Sequence, residues 1–270
     1  MAQTLARHYV KTAERTARKA GAFILRHLGS LSAEEISRKQ AADFVTSVDK
    51  QSERLIIETI REAFPDHGIL TEESGGIEAR ETRWIVDPLD GTTNFIHSYP
   101  VFSVSLALEA RGQLLLGTVF DPLRDELFTA VRGGGATLNG RPIKVSHPGS
   151  LGDCLITTGF PFRRKKMIDA YLDAFKGIFL KVSDLRRAGS AALDLSHLAS
   201  GRCDGFFELG LSPWDVAAGA VLIEEAGGVV TDFSGGADFL RTGNVVAGAP
   251  GVHGELLKEV RRAFGGIIEK

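Results

Sequence analysis

Two aspartates three residues apart, Asp87 and Asp90, close an apolar run in the stretch WIVDPLDGTTNF, which spans Trp84 to Phe95. Carboxylates held so near repel each other unless a cation or a proton sits between them. Mg²⁺ suits such a pair, being hard and partial to oxygen ligands. Pro88 stiffens the turn after the strand and removes one N–H, so the Leu89 carbonyl is left to point at the same cation. Gly91 admits close backbone approach. The amides of Gly91, Thr92 and Thr93 open a short helix, where free N–H groups suit a phosphate. A plain alternative stands beside this chemistry, because Asp-Pro and Asp-Gly are common turn dipeptides.

Other segments carry acids at element boundaries. In TEES, Glu72 falls at a strand end, or in a solvated acidic loop. In DFVTSVD, Asp49 stands just ahead of a helix, where an N-cap is the simplest role. In SPWD, Ser212 suits an N-cap, Pro213 the first helical position and Asp215 the third, a capping-box pattern. In LRRAGSAALDL, Gly189, Ser190 and Ala191 either present amides to an anion or form a tight connection.

The elements that must hold these residues are legible as periodicities. Leu5, Tyr9, Ala13, Ala17, Ala20, Ile24 and Leu28 recur at helical spacing until Gly29. A second helix is predicted from about Lys50 to Ala63, with Ile56, Ile60, Ala63 and Phe64 inward and Pro65 as its stop. From Ile69 to Val145 the pattern is strand-like. VFSVSLAL places Phe102, Val104, Leu106 and Leu108 on one face, and turns fall at Arg111-Gly112, Pro122-Leu123, Gly133–Gly135 and Asn139-Gly140. After about Ser150, strands (CLITTG, KVSDL, DGFFEL, GVVTDF, NVVAG) alternate with helices near Lys166–Lys176, Ser190–Ser200, Pro213–Ala226 and Gly254–Phe264. Residues 1–150 thus read as two helices on an antiparallel meander, and 151–270 as layered α/β. No internal repeat is present.

The totals narrow the class. At 270 residues the chain makes one large domain or two packed ones. A formal net charge of −2 gives no global pull toward nucleic acid or anionic membrane. The two cysteines, Cys154 and Cys203, make no disulfide framework and read as buried thiols. The N-terminal stretch lacks an apolar leader core, and no run approaches the roughly 18 apolar residues of a span. These features predict a soluble, cytoplasmic protein without membrane association.

Taken in order, the segments resemble the inositol monophosphatase family of Mg²⁺-dependent, lithium-sensitive phosphatases. WIVDPLDGTTNF is similar to the family's first motif, and PWDVAAGAVLIEEAGG, Pro213 to Gly228, to its second. ILTEESG, DLRRAGSAALDL and GRCDGFFELGL look most like the bacterial branch. The resemblance implies a five-layer αβαβα sandwich of the α+β class, with a site between the two halves, and a homodimer. It implies two to three Mg²⁺ ions, held by Glu72, Asp87 and the Leu89 carbonyl, by Asp87, Asp90 and Asp215, and more weakly by Glu72. It implies phosphate held by the amides of Gly91 and Thr92, with Thr93 beside them. Glu72 and Thr92, backed by Asp49, would orient and deprotonate a metal-activated water. Gly189, Ser190, Ala191 and Glu208 would border the substrate. Hydrolysis of a phosphate monoester needs on the order of 20 kcal/mol of transition-state stabilisation, a size that metals and positioned amides supply. An aspartyl-phosphate route is disfavoured, since DPLDGTT lacks the sequence patterns of such enzymes.

The implied reaction is hydrolysis of inositol monophosphate. Relatives acting on fructose bisphosphate, NADP, nucleotide bisphosphates or histidinol phosphate leave the alcohol open. A different class of role is a binding protein that contacts the transcription machinery, as the resemblance implies for some bacterial members. FRRKK, Phe162 to Lys166, and Arg186-Arg187 suit that role, although each is also an ordinary solvated charge run, and Arg187 suits a subunit interface. The charged segment Glu35–Ala42 resembles a mobile loop, in which Arg38 or Lys39 would help draw in phosphate or be ordinary solvated charges.

Overall fold

The computed structural model describes residues 2–40, 43–77, 81–265 and 267. Helix α1 (Ala2–His27) is followed by strands β1 (Ile36–Gln40) and β2 (Asp43–Thr46), helix α2 (Ser47–Ala63), strands β3 (Gly68–Thr71) and β4 (Thr82–Asp90), and the short helix α3 (Thr92–Ile96). A meander follows: β5 (Ser103–Ala110), β6 (Gln113–Asp121), β7 (Glu126–Val131), β8 (Gly135–Leu138) and β9 (Arg141–Ile143). The remainder runs β10 (Leu155–Thr158), α4 (Ile168–Phe179), β11 (Asp184–Arg186), α5 (Ala191–Ala199), β12 (Gly205–Glu208), α6 (Pro213–Glu225), β13 (Val229–Thr231), α7 (Phe239–Thr242), β14 (Val245–Gly248) and α8 (Pro250–Phe264).

These elements stack in five layers. Helices α1 and α2 cover one face of a seven-stranded sheet, ordered β3-β4-β5-β6-β7-β8-β9. Helices α5 and α6 cover its other face and pack in turn on a five-stranded sheet, ordered β11-β10-β12-β14-β13. Helices α4 and α8 close the stack. The predicted αβαβα sandwich of the α+β class is the fold observed.

Side-chain size along β5 sets the layering. Phe102, Val104, Leu106 and Leu108 fill the core under α1 and α2 together with Ala17, Ile24, Ile56 and Ile60. The alternate residues are small: Ser103, Ser105 and Ala107 face the other way, where α6 approaches. On β6, Gly117 lies so close to α6 that an added Cβ would stand 2.3 Å from the Ala218 carbonyl oxygen. Helix α6 is apolar all round, as a helix buried between two sheets must be. Both cysteines are buried and free.

Three local expectations change. The segment around residues 36–46 is an antiparallel strand pair rather than a loop, with Ile36 opposite Thr46. Residues 41 and 42 and the side chains of Arg38 and Lys39 lie outside the described residues. The first sheet is not a pure meander, because β3 runs parallel to β4. Leu5, placed on the inner stripe of α1 by its spacing, is 49% exposed and takes no part in the core beneath that helix. No helix among the described residues is long and apolar enough to cross a membrane.

Candidate active site

The acids of the opening motif owe their common direction to a bulge. Asp87 pairs with Ser105 and Asp90 with Ser103, so three steps on β4 oppose two on β5. In a regular strand, residues three apart face opposite ways. The extra residue re-aims Asp90 toward the side of Asp87. The strand therefore does not stop at Asp87, as the proline had suggested, but continues through Asp90. The Leu89 N–H donates to Asp87 Oδ1 at 3.0 Å, and Ser52 Oγ on α2 donates to the Pro88 carbonyl at 2.9 Å.

Asp215 arrives from the other half of the chain. It is the third residue of α6, where the Ser212 N–H donates to Asp215 Oδ2 at 2.7 Å and Pro213 starts the helix, as predicted. Asp87, Asp90 and Asp215 each place a carboxylate oxygen within 4.8 Å of the others, and all three are buried. Glu72 follows β3 directly, its side chain 11% exposed. The turn carrying it is held by Glu53, a buried acid of α2 that accepts the Thr71 hydroxyl and, at 2.8 Å, the Glu73 N–H.

Asp49 is the third residue of α2 rather than its N-cap, and Thr46 caps the helix. Its second oxygen accepts the Thr92 hydroxyl at 2.9 Å, a hydroxyl that also lies 3.1 Å from the Leu89 carbonyl. Gly91 caps α3 in the left-handed conformation (φ 91°), and a Cβ there would stand 2.9 Å from the Val101 carbonyl oxygen. Thr93 is exposed on the first turn of α3. Asn94 donates to the carbonyls of Val101, Ala188 and Gly189, stitching α3 to the turn before α5. At that turn Ser190 is buried and its hydroxyl donates to Asp90 Oδ2, as does the Ala192 N–H at 2.9 Å. The Ser190 hydroxyl is thus spent on an acid of the cluster.

Electrostatics single out the cluster. Burial first, then the charges of Glu72, Asp90 and Asp215, hold the Asp87 carboxyl well above the usual range. Burial pushes Asp90 to about 6 against the opposing bonds from Ser190 and Ala192. It pushes Asp215 to about 7, with Arg163 opposing and Asp90 and Glu72 reinforcing. Burial also raises Asp49, against its bonds from Thr46 and Thr92. Oxygen-only donors, closely grouped, buried and mutually repelling, fit a hard divalent cation.

The cluster floors a cleft of about 760 Å³. Glu208, predicted at a strand end, ends β12 and lines this cleft half-buried, its pKa raised well above normal by burial and by Asp194 and Asp215. Gly189, Ser190 and Ala191 line it as well. Glu53 and Asp194 escaped sequence reasoning, and Arg163 was read only as part of the basic run FRRKK. Glu53 stands with Asp49, Ser52 and Ile56 on the inward stripe of α2, and a polar residue on an apolar stripe was the available signal. Asp194 sits likewise among the buried residues of α5. Arg163 follows a strand whose carboxyl end faces the cleft, the place where open α/β sheets bind ligands.

Clustered buried acids in a cleft between the two halves of a five-layer stack make a site suited to a divalent cation. The chain belongs to the inositol monophosphatase family, whose sequence pattern matches residues 6–264. Among its relatives is Nus factor SuhB of Escherichia coli K12, 49% identical over 260 residues that cover 96% of this chain and 97% of that protein. The crystal structure of extragenic suppressor protein suhB from Bartonella henselae superposes with a TM-score of 0.91 at 41% identity, covering 96% of this chain and 99% of that one. Inositol monophosphatase from Anabaena sp. PCC 7120 gives 0.85 at 41% identity, covering 94% and 95%.

Proposed function

We propose that the protein is a Mg²⁺-dependent phosphomonoesterase that converts inositol monophosphate to inositol and phosphate. The observation that carries this reading is the convergence of Asp87, Asp90 and Asp215 within 4.8 Å at the foot of a cleft that also contains Glu72 and the start of α3. Family membership and the solved inositol monophosphatase relative support it.

In this reading Glu72, Asp87 and the Leu89 carbonyl, with Asp90 and Asp215, hold two to three Mg²⁺ ions. Bound there, the ions lower the pKa of water and offset charge on the phosphoryl group. The chain's own residues do the remainder. The amides of Gly91 and Thr92 point at the phosphate, and Thr93 borders it. Asp49, ionised, draws the Thr92 hydroxyl proton to itself, which leaves the Thr92 oxygen free to accept a hydrogen bond from the attacking water. Glu72 takes up the proton that the water gives away. Glu208 and the turn Gly189–Ala191 contact the alcohol portion of the substrate. Burial of the acids excludes bulk water and strengthens each of these interactions.

The test is phosphate release by purified protein, with and without Mg²⁺, over inositol monophosphate, fructose bisphosphate, NADP and nucleotide bisphosphate. Release should need Mg²⁺, be greatest on inositol monophosphate and vanish in Asp90→Asn. Faster release from another substrate would move the protein to a broader sugar or nucleotide phosphatase role.

A second reading, contact with the transcription machinery, draws on the relative named Nus factor. Phe162, Lys165 and Lys166 of the basic stretch are solvent-exposed. The two roles separate in one variant, since Asp90→Asn removes hydrolysis and leaves that surface intact.

A further inference from the structure

Arg163 reaches into the acid cluster from outside. It belongs to a short 3₁₀ segment, Phe162–Met167, that follows β10, and its side chain is 39% exposed. Its Nη1 lies 3.3 Å from Asp215 Oδ2 and 3.3 Å from Ser212 Oγ, and its Nη2 lies 3.6 Å from Glu72 Oε1. One guanidinium thus bridges two acids that are far apart in sequence, one beside the end of β3 and one in the first turn of α6. It brings positive charge to the place where the acids repel one another.

We propose that Arg163 is the resident counter-cation of this site: it bridges Glu72 and Asp215 while no divalent ion is bound, and it gives way when one arrives. The proposal rests on the metal-site reading above. A guanidinium has five donors and a full charge, so it offsets part of the repulsion among carboxylates. It lies against Glu72 and Asp215, two acids that would hold a metal, so the like charges of metal and arginine would compete there. Its perch suits exchange. The side chain is partly solvated, and Arg164 beside it has non-helical dihedrals (φ −131°, ψ 51°), so no continuous helix has to move with it. The neighbouring Arg164 guanidinium instead donates to the Thr242 carbonyl at 3.3 Å, away from the acids.

Two consequences follow. The metal-free protein is held together at this point by its own cation, and metal affinity is set below what the acids alone would give. The loss should be on the order of tenfold, the scale of a pair of partly exposed charge contacts.

The experiment measures Mn²⁺ binding to metal-stripped protein by electron paramagnetic resonance, with Mg²⁺ as competitor. Arg163→Met should bind Mn²⁺ about tenfold more tightly than the parent, while Arg164→Met should shift affinity less than twofold. Arg163→Gln serves as a second variant should the first fold poorly. The ¹⁵N signal of Arg163 Nε, assigned by its loss in Arg163→Met, should move as Mg²⁺ is added. Equal or weaker Mn²⁺ affinity in a folded Arg163 variant overturns the proposal. An equal gain in Arg164→Met also overturns it, since net charge would then explain the effect. Absence of Mn²⁺ binding by the parent and every variant would sink the metal-site reading itself, and this proposal with it.

Discussion

Asp232 and Asp87 are both buried aspartates, 5% and 1% exposed, yet the fold treats them in opposite ways. Asp232, in the turn after β13, accepts the N–H groups of Ser234 and Gly236 and the Ser234 hydroxyl on one oxygen, and the Asp238 N–H on the other. Burial alone would raise its pKa, but these bonds outweigh burial and hold it below the ordinary value. Among the described residues Asp87 is given the Leu89 N–H, and it is surrounded by Glu72, Asp90 and Asp215. A structural acid has its charge satisfied by the chain around it. Asp87 faces three other acids at close range, a repulsion that a cation would relieve.

The widest separation between the two should appear in catalysis. Asp87→Asn is expected to lower Mg²⁺-dependent phosphate release by at least about a thousandfold, near 4 kcal/mol of transition-state stabilisation. Asp232→Asn should stay within about threefold. Comparable losses in both would break the comparison.

Stability should show the reverse order. Asp232→Ala leaves the partly buried bonds of the Ser234, Gly236 and Asp238 N–H groups without their acceptor and is expected to cost about 2 kcal/mol, read from urea unfolding, with or without Mg²⁺. A cost under about 1 kcal/mol would mean that those donors find water instead.

The smallest effect sharpens the contrast most. In chelator at pH 8, Asp87→Asn should be more stable than the parent. The sign follows from the raised folded-state pKa of Asp87. As pH climbs above the unfolded value near 4, the unfolded chain gives up its proton first and folding becomes less favourable. Asn carries no such proton, so the gap should close as pH falls toward 4. Thermal melts across that range measure it, and a gap that widened at low pH would reverse the argument.

How much of this was legible in sequence depended on the range of the cause. Helices α1, α2 and α6 carry their periodicity and stops locally and fall near where those signals placed them, although α2 begins at Ser47, three residues before the predicted start. So does β5, whose alternation of large and small residues marks one thick and one thin layer. The β1–β2 pair was not legible: ISRKQ has little apolar alternation, and its pairing with DFVT is a matter of tertiary contact. Asp49 was displaced from cap to third position because Thr46, a competent cap, lies three residues earlier. The acidic residues were visible one by one, but the bulge that turns Asp90 toward Asp87 depends on the partner strand. The contacts of Arg163 depend on elements more than fifty residues away on one side and ninety on the other, with no local trace.

The insertion of α6 between the sheets also fixes a chronology. Glu72, Asp87 and Asp90 lie on or beside the sheet made from residues 68–143, whereas Asp215 rides on a helix synthesised long afterward. That helix comes to rest against the earlier sheet where Gly117 leaves room for the Ala218 carbonyl. Domains tend to form in the order in which they are made. A nascent chain on the ribosome can therefore complete its first sheet without yet owning the full acid cluster. The three-acid cluster is therefore completed only once α6 has been made and docked against that sheet.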